Sequence, residues 1–138
     1  MTVFSKIVEG EIPAHVVYED ETTFAFLDAN PLAPGHTLVI PREEYPRLED
    51  LPEDVARDLF ATVHRLTPAI EAAVDADATT VGFNNGAAAG QEVEHVHCHI
   101  VPRFGDDGGG SLHTAMGGFA DLSEDDLEGI AENIGDEL

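Results

Sequence analysis

Three histidines at alternate positions, His95, His97 and His99, are the residues whose type and spacing could act together chemically. On an extended backbone successive side chains point to opposite faces, so the three imidazoles share one face and Val96, Cys98 and Ile100 take the other. Neighbouring imidazoles then stand about 6–7 Å apart, two residues of strand rise. Near neutral pH an imidazole can be a nucleophile, a proton carrier or a metal ligand. The spacing alone leaves three readings open. The histidines could have no joint role, they could chelate zinc, or the central ring could attack phosphorus while its neighbours donate to phosphate oxygens.

Five short segments must position these rings. Val16–Tyr18 and Thr22–Leu27 flank the acidic turn at Glu19–Glu21 and read as a hairpin. His36–Ile40 follows Asn30-Pro31 and Pro34-Gly35, and Pro41 should stop it. Thr80–Asn84 and His95–Val101 read as the last two strands, joined through a Gly/Ala loop. Val55, Leu59, Val63, Leu66, Ile70 and Val74 recur three or four residues apart, which predicts one long helix with a kink at Pro68. Ser123 should cap a second helix, with Asp125 and Asp126 at the positive end of its dipole and Leu122 stapled to Leu127. The Gly-rich stretch from Arg103 to Asp121 reads as a mobile loop. The class is α+β, an antiparallel sheet of about five strands with helices mainly on one face.

A chain of 138 residues suits one domain. Six Lys and Arg against 28 Asp and Glu leave a formal net charge of −22. Acids run from Glu9 to Glu137 rather than in one block, which reads as a solvated acidic surface suited to a salt-rich, halophilic cytoplasm. Nucleic acid is excluded as a partner, because binding it rests on Lys and Arg at the phosphates. A single cysteine, Cys98, excludes an intrachain disulfide and a cysteine-based zinc site. No apolar run approaches membrane-spanning length, so a cytoplasmic protein with no membrane partner is expected.

The segment His95–Val101 resembles the motif of the histidine triad family, His-φ-His-φ-His-φ-φ with φ apolar, at every position. The resemblance extends to Phe4–Pro13, to Phe26-Leu27-Asp28, to Pro34–Pro41 and to Asn84-Asn85-Gly86 with the following Gly90-Gln91. It implies a HIT-like fold over residues 1–104, with residues 105–138 a loop and helix of the same domain, and a homodimer.

It further implies a nucleotide hydrolase or transferase acting at the α-phosphate of nucleoside 5′-phosphate conjugates, such as phosphoramidates and adenylated small molecules. His97 would be the nucleophile, with its other ring nitrogen held by a backbone carbonyl. His95 and His99 would flank the phosphate, with His99 the proton donor to the leaving group, and His36 would lie across the pocket. Asn84 and Gln91 would donate to the phosphate and Asp28 would accept from the ribose. Phe4, Ile7, Phe26 and Leu38 would clamp the base, a purine being expected. No cofactor and no metal are implied, since Ser5 stands where some prokaryotic relatives have a zinc-binding cysteine.

Two alternatives stand beside that reading: hydrolysis of dinucleoside polyphosphates, suggested by Pro102-Arg103, and a nucleotide-binding adaptor with weak catalysis. Glu92 replaces the Ser or Thr of the nucleoside phosphoramidase and fragile-histidine-triad branches, and matches a prokaryotic branch with Gly-Gln-Glu-Val before its triad. A carboxylate there would repel an α-phosphate if it pointed inward. His15 and His64 read as structural or surface residues.

Overall fold

The strand segments form one five-stranded antiparallel sheet with two covered faces, and its central strands are apolar on both. The computed structural model describes all 138 residues. Its strands are β1 (Val16–Glu19), β2 (Thr23–Leu27), β3 (Thr37–Pro41), β4 (Ala78–Phe83) and β5 (Cys98–Arg103), in the order β1-β2-β3-β5-β4. The long helix, α2, runs from Glu53 to Val74. It buries Leu59, Val63, Leu66 and Ile70 against Ala25, Val39, Cys98 and Ile100. A buried bond between the hydroxyls of Thr23 and Thr62 at 2.8 Å ties α2 to β2. Pro68 lies inside α2, and the helix continues through it.

The opposite parity of the same strands makes the other face. Phe24 and Phe26 from β2 join Leu38 and Ile40 from β3 and Phe4 from a short helix, α1 (Val3–Val8). No sequence periodicity reveals so short a helix. Thr2 caps it by accepting from the Ser5 N–H, and Glu44 holds its start by accepting from the Thr2 N–H at 2.6 Å and the Ser5 hydroxyl at 2.7 Å. Two hydrogen bonds hold the Glu44 carboxyl down at a pKa of about 2, that from Ser5 foremost and that from Thr2 next.

Several boundaries differ from the sequence reading. β3 includes Pro41 as its last residue, and β4 begins at Ala78. The largest correction concerns the triad strand. β5 begins at Cys98 rather than His95, and residues 93–97 bend into it. Two bonds explain the bend: the Val96 N–H donates to the Tyr45 carbonyl at 2.7 Å, and the His97 ring donates to the carbonyl of His95.

The chain divides into two compact units, Met1–Asp107 and Gly108–Leu138. In the second, one helical turn, α3 (Leu112–Ala115), interrupts the stretch expected to be loop. Ser123 and Asp126 form the capping box of α4 (Glu124–Glu137). Along α4, Leu127, Ile130 and Ile134 are exposed.

Candidate active site

Register across the sheet decides which side chains meet. Phe26 pairs with Leu38, Leu38 with His99 and His99 with Gly82, so one row of the sheet runs from an apolar end to an imidazole. Gly35 sets up the next member. Its φ of +87° suits glycine, and a Cβ there would meet Val74 at 3.0 Å and Pro102 at 3.2 Å. The tight turn delivers His36 to the start of β3, where it is buried. Above this row lies a cleft of about 990 Å³. Phe4, Ile7, Phe26, Leu38, Asp28, Asn84, His36, His97 and His99 all line it; His95 and Gln91 do not.

Hydrogen bonds assign the proton on each ring. The Leu32 N–H donates to His36 Nδ1 at 3.0 Å, so neutral His36 carries its proton on Nε2. That Nε2–H donates to His99 Nδ1, also at 3.0 Å, and Asp28 Oδ2 lies 3.6 Å from the same nitrogen. His99 therefore carries its proton on Nε2. This atom is buried and has no partner, which makes it a donor awaiting an acceptor. Burial above all, then the neighbouring His97 and His36, push His99 down to a pKa of about 4, so it is a neutral donor at physiological pH. Burial likewise lowers His36 against the opposing pull of Asp28.

His97 has the complementary arrangement. Its Nδ1–H donates to the His95 carbonyl at 2.8 Å, which leaves Nε2 as a bare lone pair. Phe4 meets this ring edge-on at 5.0 Å between centroids, and the His99 ring also lies 5.0 Å away. One ring thus offers an electron pair and its neighbour an N–H. Attack on an electrophile that bears anionic oxygens is the chemistry this pair suits.

Other expected residues sit elsewhere. His95 is fully buried, with Nε2–H donating to the Pro41 carbonyl at 2.8 Å and the Thr2 hydroxyl 3.4 Å from Nδ1. It is a hub between the triad, β3 and α1. Gln91 donates both amide hydrogens to backbone carbonyls, those of Pro46 and Val93, and accepts from the Gly86 N–H. It fastens the loop before the triad. The Arg103 guanidinium is held by Asp107 and Thr80, outside the cleft lining. Asp28 accepts from the Asn30 N–H through Oδ1. Its Oδ2 faces His36.

Sequence reasoning passed over Ile12, Pro13, His15, Leu32 and Val93, all of which line the cleft. Leu32 is also the residue whose N–H sets the tautomer of His36. Only the Pro-rich turn around it hinted at a structured role. Glu92 lines the cleft as well, and its carboxylate makes no hydrogen bond or ion pair.

Two places could be considered for a metal. Donor atoms of Asp28, His36 and His99 lie within 4.8 Å of one another. A metal ligand must present a lone pair, whereas the Leu32 N–H keeps the proton of His36 on the very nitrogen that faces the cluster. That arrangement fits a hydrogen-bond relay and not a metal cage. Around Ser5, the hydroxyl bonds Glu44, His95 Nδ1 faces Thr2, and no thiolate is present, so these residues do not fit a zinc ion either. Cys98 is buried on the α2 side of the sheet, and burial raises its thiol to a pKa of about 12.

Comparison with known proteins places the chain among relatives. Residues 9–106 match the HIT domain. The chain is 45% identical over 101 residues to an adenylylsulfatase of Arabidopsis thaliana, a match covering 73% of this chain and 51% of that protein. It is 42% identical over 100 residues to an asymmetrical bis(5′-nucleosyl)-tetraphosphatase of Schizosaccharomyces pombe, covering 72% of this chain and 53% of that one. The crystal structure of a HIT family member from Bacillus subtilis superposes with a TM-score of 0.88 at 34% identity, covering 99% of this chain and 96% of the other.

Proposed function

The chain belongs to the HIT family, and on that premise we propose that it is a nucleotide hydrolase or transferase that cleaves nucleoside 5′-phosphate conjugates at the α-phosphate through a nucleotidyl intermediate on His97. The observation that carries the reading is the opposed protonation of two adjacent rings. His97 Nε2 is a lone pair because Nδ1–H is spent on a carbonyl, and His99 Nε2 is an N–H because its Nδ1 is occupied by His36. The adenylylsulfatase and tetraphosphatase likenesses support a nucleotide conjugate as substrate.

In this mechanism the base enters between Phe4, Ile7, Phe26 and Leu38, and the ribose hydroxyls reach Asp28. His97 Nε2 forms a bond to the α-phosphorus as the bond to the leaving group breaks, and that electron pair departs with the leaving group. The His99 N–H and the Asn84 amide meet the phosphoryl oxygens, stabilising the charge that builds there. Water then attacks the same phosphorus, its proton passes to solvent, the P–N bond breaks and its pair returns to Nε2. The product is the nucleoside monophosphate.

Replacing His97 with Ala should abolish turnover of an adenosine 5′-phosphoramidate, while AMP binding by calorimetry stays within about threefold, because Asp28 and the apolar clamp remain. Mass spectrometry of the quenched wild-type reaction should find an adenylyl group on His97. An adduct on another residue, or full turnover by His97→Ala, overturns the mechanism.

A further inference from the structure

Pairing of the triad strand with β3 and β4 begins at Cys98, so the sheet ladder does not hold His95 and His97. The bare Nε2 of His97 nevertheless depends on where the His95 carbonyl stands, because that carbonyl takes the proton of Nδ1. Three contacts fix the segment. The Val96 N–H donates to the Tyr45 carbonyl at 2.7 Å, His95 Nε2–H donates to the Pro41 carbonyl at 2.8 Å, and the Thr2 hydroxyl lies 3.4 Å from His95 Nδ1. Burial above all keeps His95 neutral. With its proton on Nε2, its Nδ1 lone pair accepts the Thr2 O–H. The first two contacts come from the end of β3 and the turn after it. The third comes from the start of α1.

A helix of six residues does not keep its place by its own hydrogen bonds. Glu44 seats it, with Oε1 accepting from the Thr2 N–H at 2.6 Å and the Ser5 hydroxyl at 2.7 Å. At this junction the Thr2 hydroxyl serves twice, accepting from the Ser5 N–H as the helix cap and donating to His95. Two residues on, Phe4 stands edge-on to His97 and 6.0 Å from His95 between ring centroids. A carboxylate outside the cleft lining thus sets both the hydroxyl that reaches His95 and the ring that abuts His97.

We infer that Glu44 and Thr2 are positioning residues for the nucleophile: the carboxylate seats α1, the Thr2 hydroxyl holds the His95 ring, and the His95 carbonyl then keeps the His97 proton on Nδ1. This rests on the nucleotidyl-histidine reading and adds to it the groups that ready His97 from outside the cleft. Neither residue touches the reacting atoms. Without the clasp the His95 carbonyl is free to shift, and the His97 proton then also populates Nε2, where it blocks the lone pair. The rate falls with the population of the Nδ1–H tautomer, and a displaced ring adds to the loss.

The test measures kcat and KM for adenosine 5′-phosphoramidate, well below each thermal midpoint, in the wild type, Glu44→Ala, Thr2→Val, their double variant and Thr2→Ser. Glu43→Gln is the control, since that neighbouring acid meets the Tyr45 hydroxyl and not α1. Both Glu44→Ala and Thr2→Val should lower kcat roughly 10- to 100-fold, the scale of loss for slightly misplaced reacting groups. Thr2→Ser, which restores the hydroxyl, and Glu43→Gln should stay within about threefold. Because Glu44 acts through Thr2, the double variant should be no more than about twofold worse than Glu44→Ala. Nitrogen-15 NMR of the ligand-free proteins at neutral pH should show His97 as Nδ1–H in the wild type and as a mixture of tautomers in Glu44→Ala and Thr2→Val.

Either single variant overturns the inference if it keeps the wild-type kcat, if it raises KM alone, or if His97 stays wholly Nδ1–H while the rate falls. Losses that multiply in the double variant overturn it too, since they would mean two independent roles. The parent reading survives each of these results if the adenylyl adduct still forms on wild-type His97. A wild type with neither turnover nor adduct overturns the parent reading, and the positioning role with it.

Discussion

His36→Ala tests whether the second ring in the cleft acts through the third. His36 donates from Nε2 to His99 Nδ1 at 3.0 Å, and its own Nδ1 is pinned by the Leu32 N–H. The substitution removes the donor that forces the His99 proton onto Nε2. It also removes one of the two neighbouring rings that lower the His99 pKa and opens the site to water, so that pKa should rise from about 4 toward the ordinary histidine value of 6.5. The lost hydrogen bond between neutral rings contributes about 0.5–1.5 kcal/mol. If that stabilisation acts fully in the transition state, kcat/KM for the phosphoramidate falls roughly 2- to 13-fold. This is far short of the loss expected when the nucleophile itself is removed. His36→Gln, whose amide can donate in the same direction, should recover part of the rate.

Nitrogen-15 NMR of the imidazoles supplies a readout that mere structural damage would not reproduce. Wild-type His99 should show the Nε2–H form at neutral pH, and His36→Ala a mixture of tautomers with an upward-shifted titration. The reasoning is refuted if His99 keeps one tautomer and a pKa of about 4 in the variant. It is equally refuted if His36→Ala is as inactive as His97→Ala, because His36 would then take part in the reaction itself.

Two further outcomes follow, one from the cleft and one from the start of α1. Asp28→Ala should weaken binding of AMP by about 1.5–3 kcal/mol, the range for a hydrogen bond to a charged group, and shrink discrimination against deoxy-AMP; calorimetry showing unchanged sugar selectivity removes Asp28 from the ribose site. Glu44→Gln should destabilise the protein above about pH 4.5, where wild-type Glu44 is charged in both folded and unfolded chains, and the gap between the two urea midpoints should close as pH falls toward 2, where the folded-state carboxyl protonates. A gap independent of pH would show that the carboxylate does not hold α1.

The sheet was legible because turn signals such as Asn30-Pro31 and Pro34-Gly35 bound its apolar runs, and the core residues of α2 came directly from the 3.6-residue period. Phe26, Leu38 and Ile40 read as strand residues through the turns that flank their segments. The start of β5 was not legible. The alternation His95–His97–His99 looks like uninterrupted strand, yet the backbone bends before Cys98 because a ring nitrogen and an amide find carbonyls outside the ladder. Sequence pattern records which residues are apolar. It does not record which carbonyl is left over for an imidazole.

The same distinction explains what was legible of the site. A family motif could bring His36, His97 and His99 to one cleft, but roles among identical side chains depend on protonation, and protonation depends on neighbours that carry no motif. His97 and His99 are the same residue type one alternation apart. One presents a lone pair because the His95 carbonyl takes its Nδ1–H, and the other presents an N–H because Leu32 acts on it through His36. His95 shares their type and their alternation, but the Pro41 carbonyl and the Thr2 hydroxyl occupy both of its nitrogens, so its ring has neither a lone pair nor a proton to offer a substrate. Three equal letters in the sequence become a donor, an electron pair and a structural bolt through the hydrogen bonds each ring makes away from the cleft.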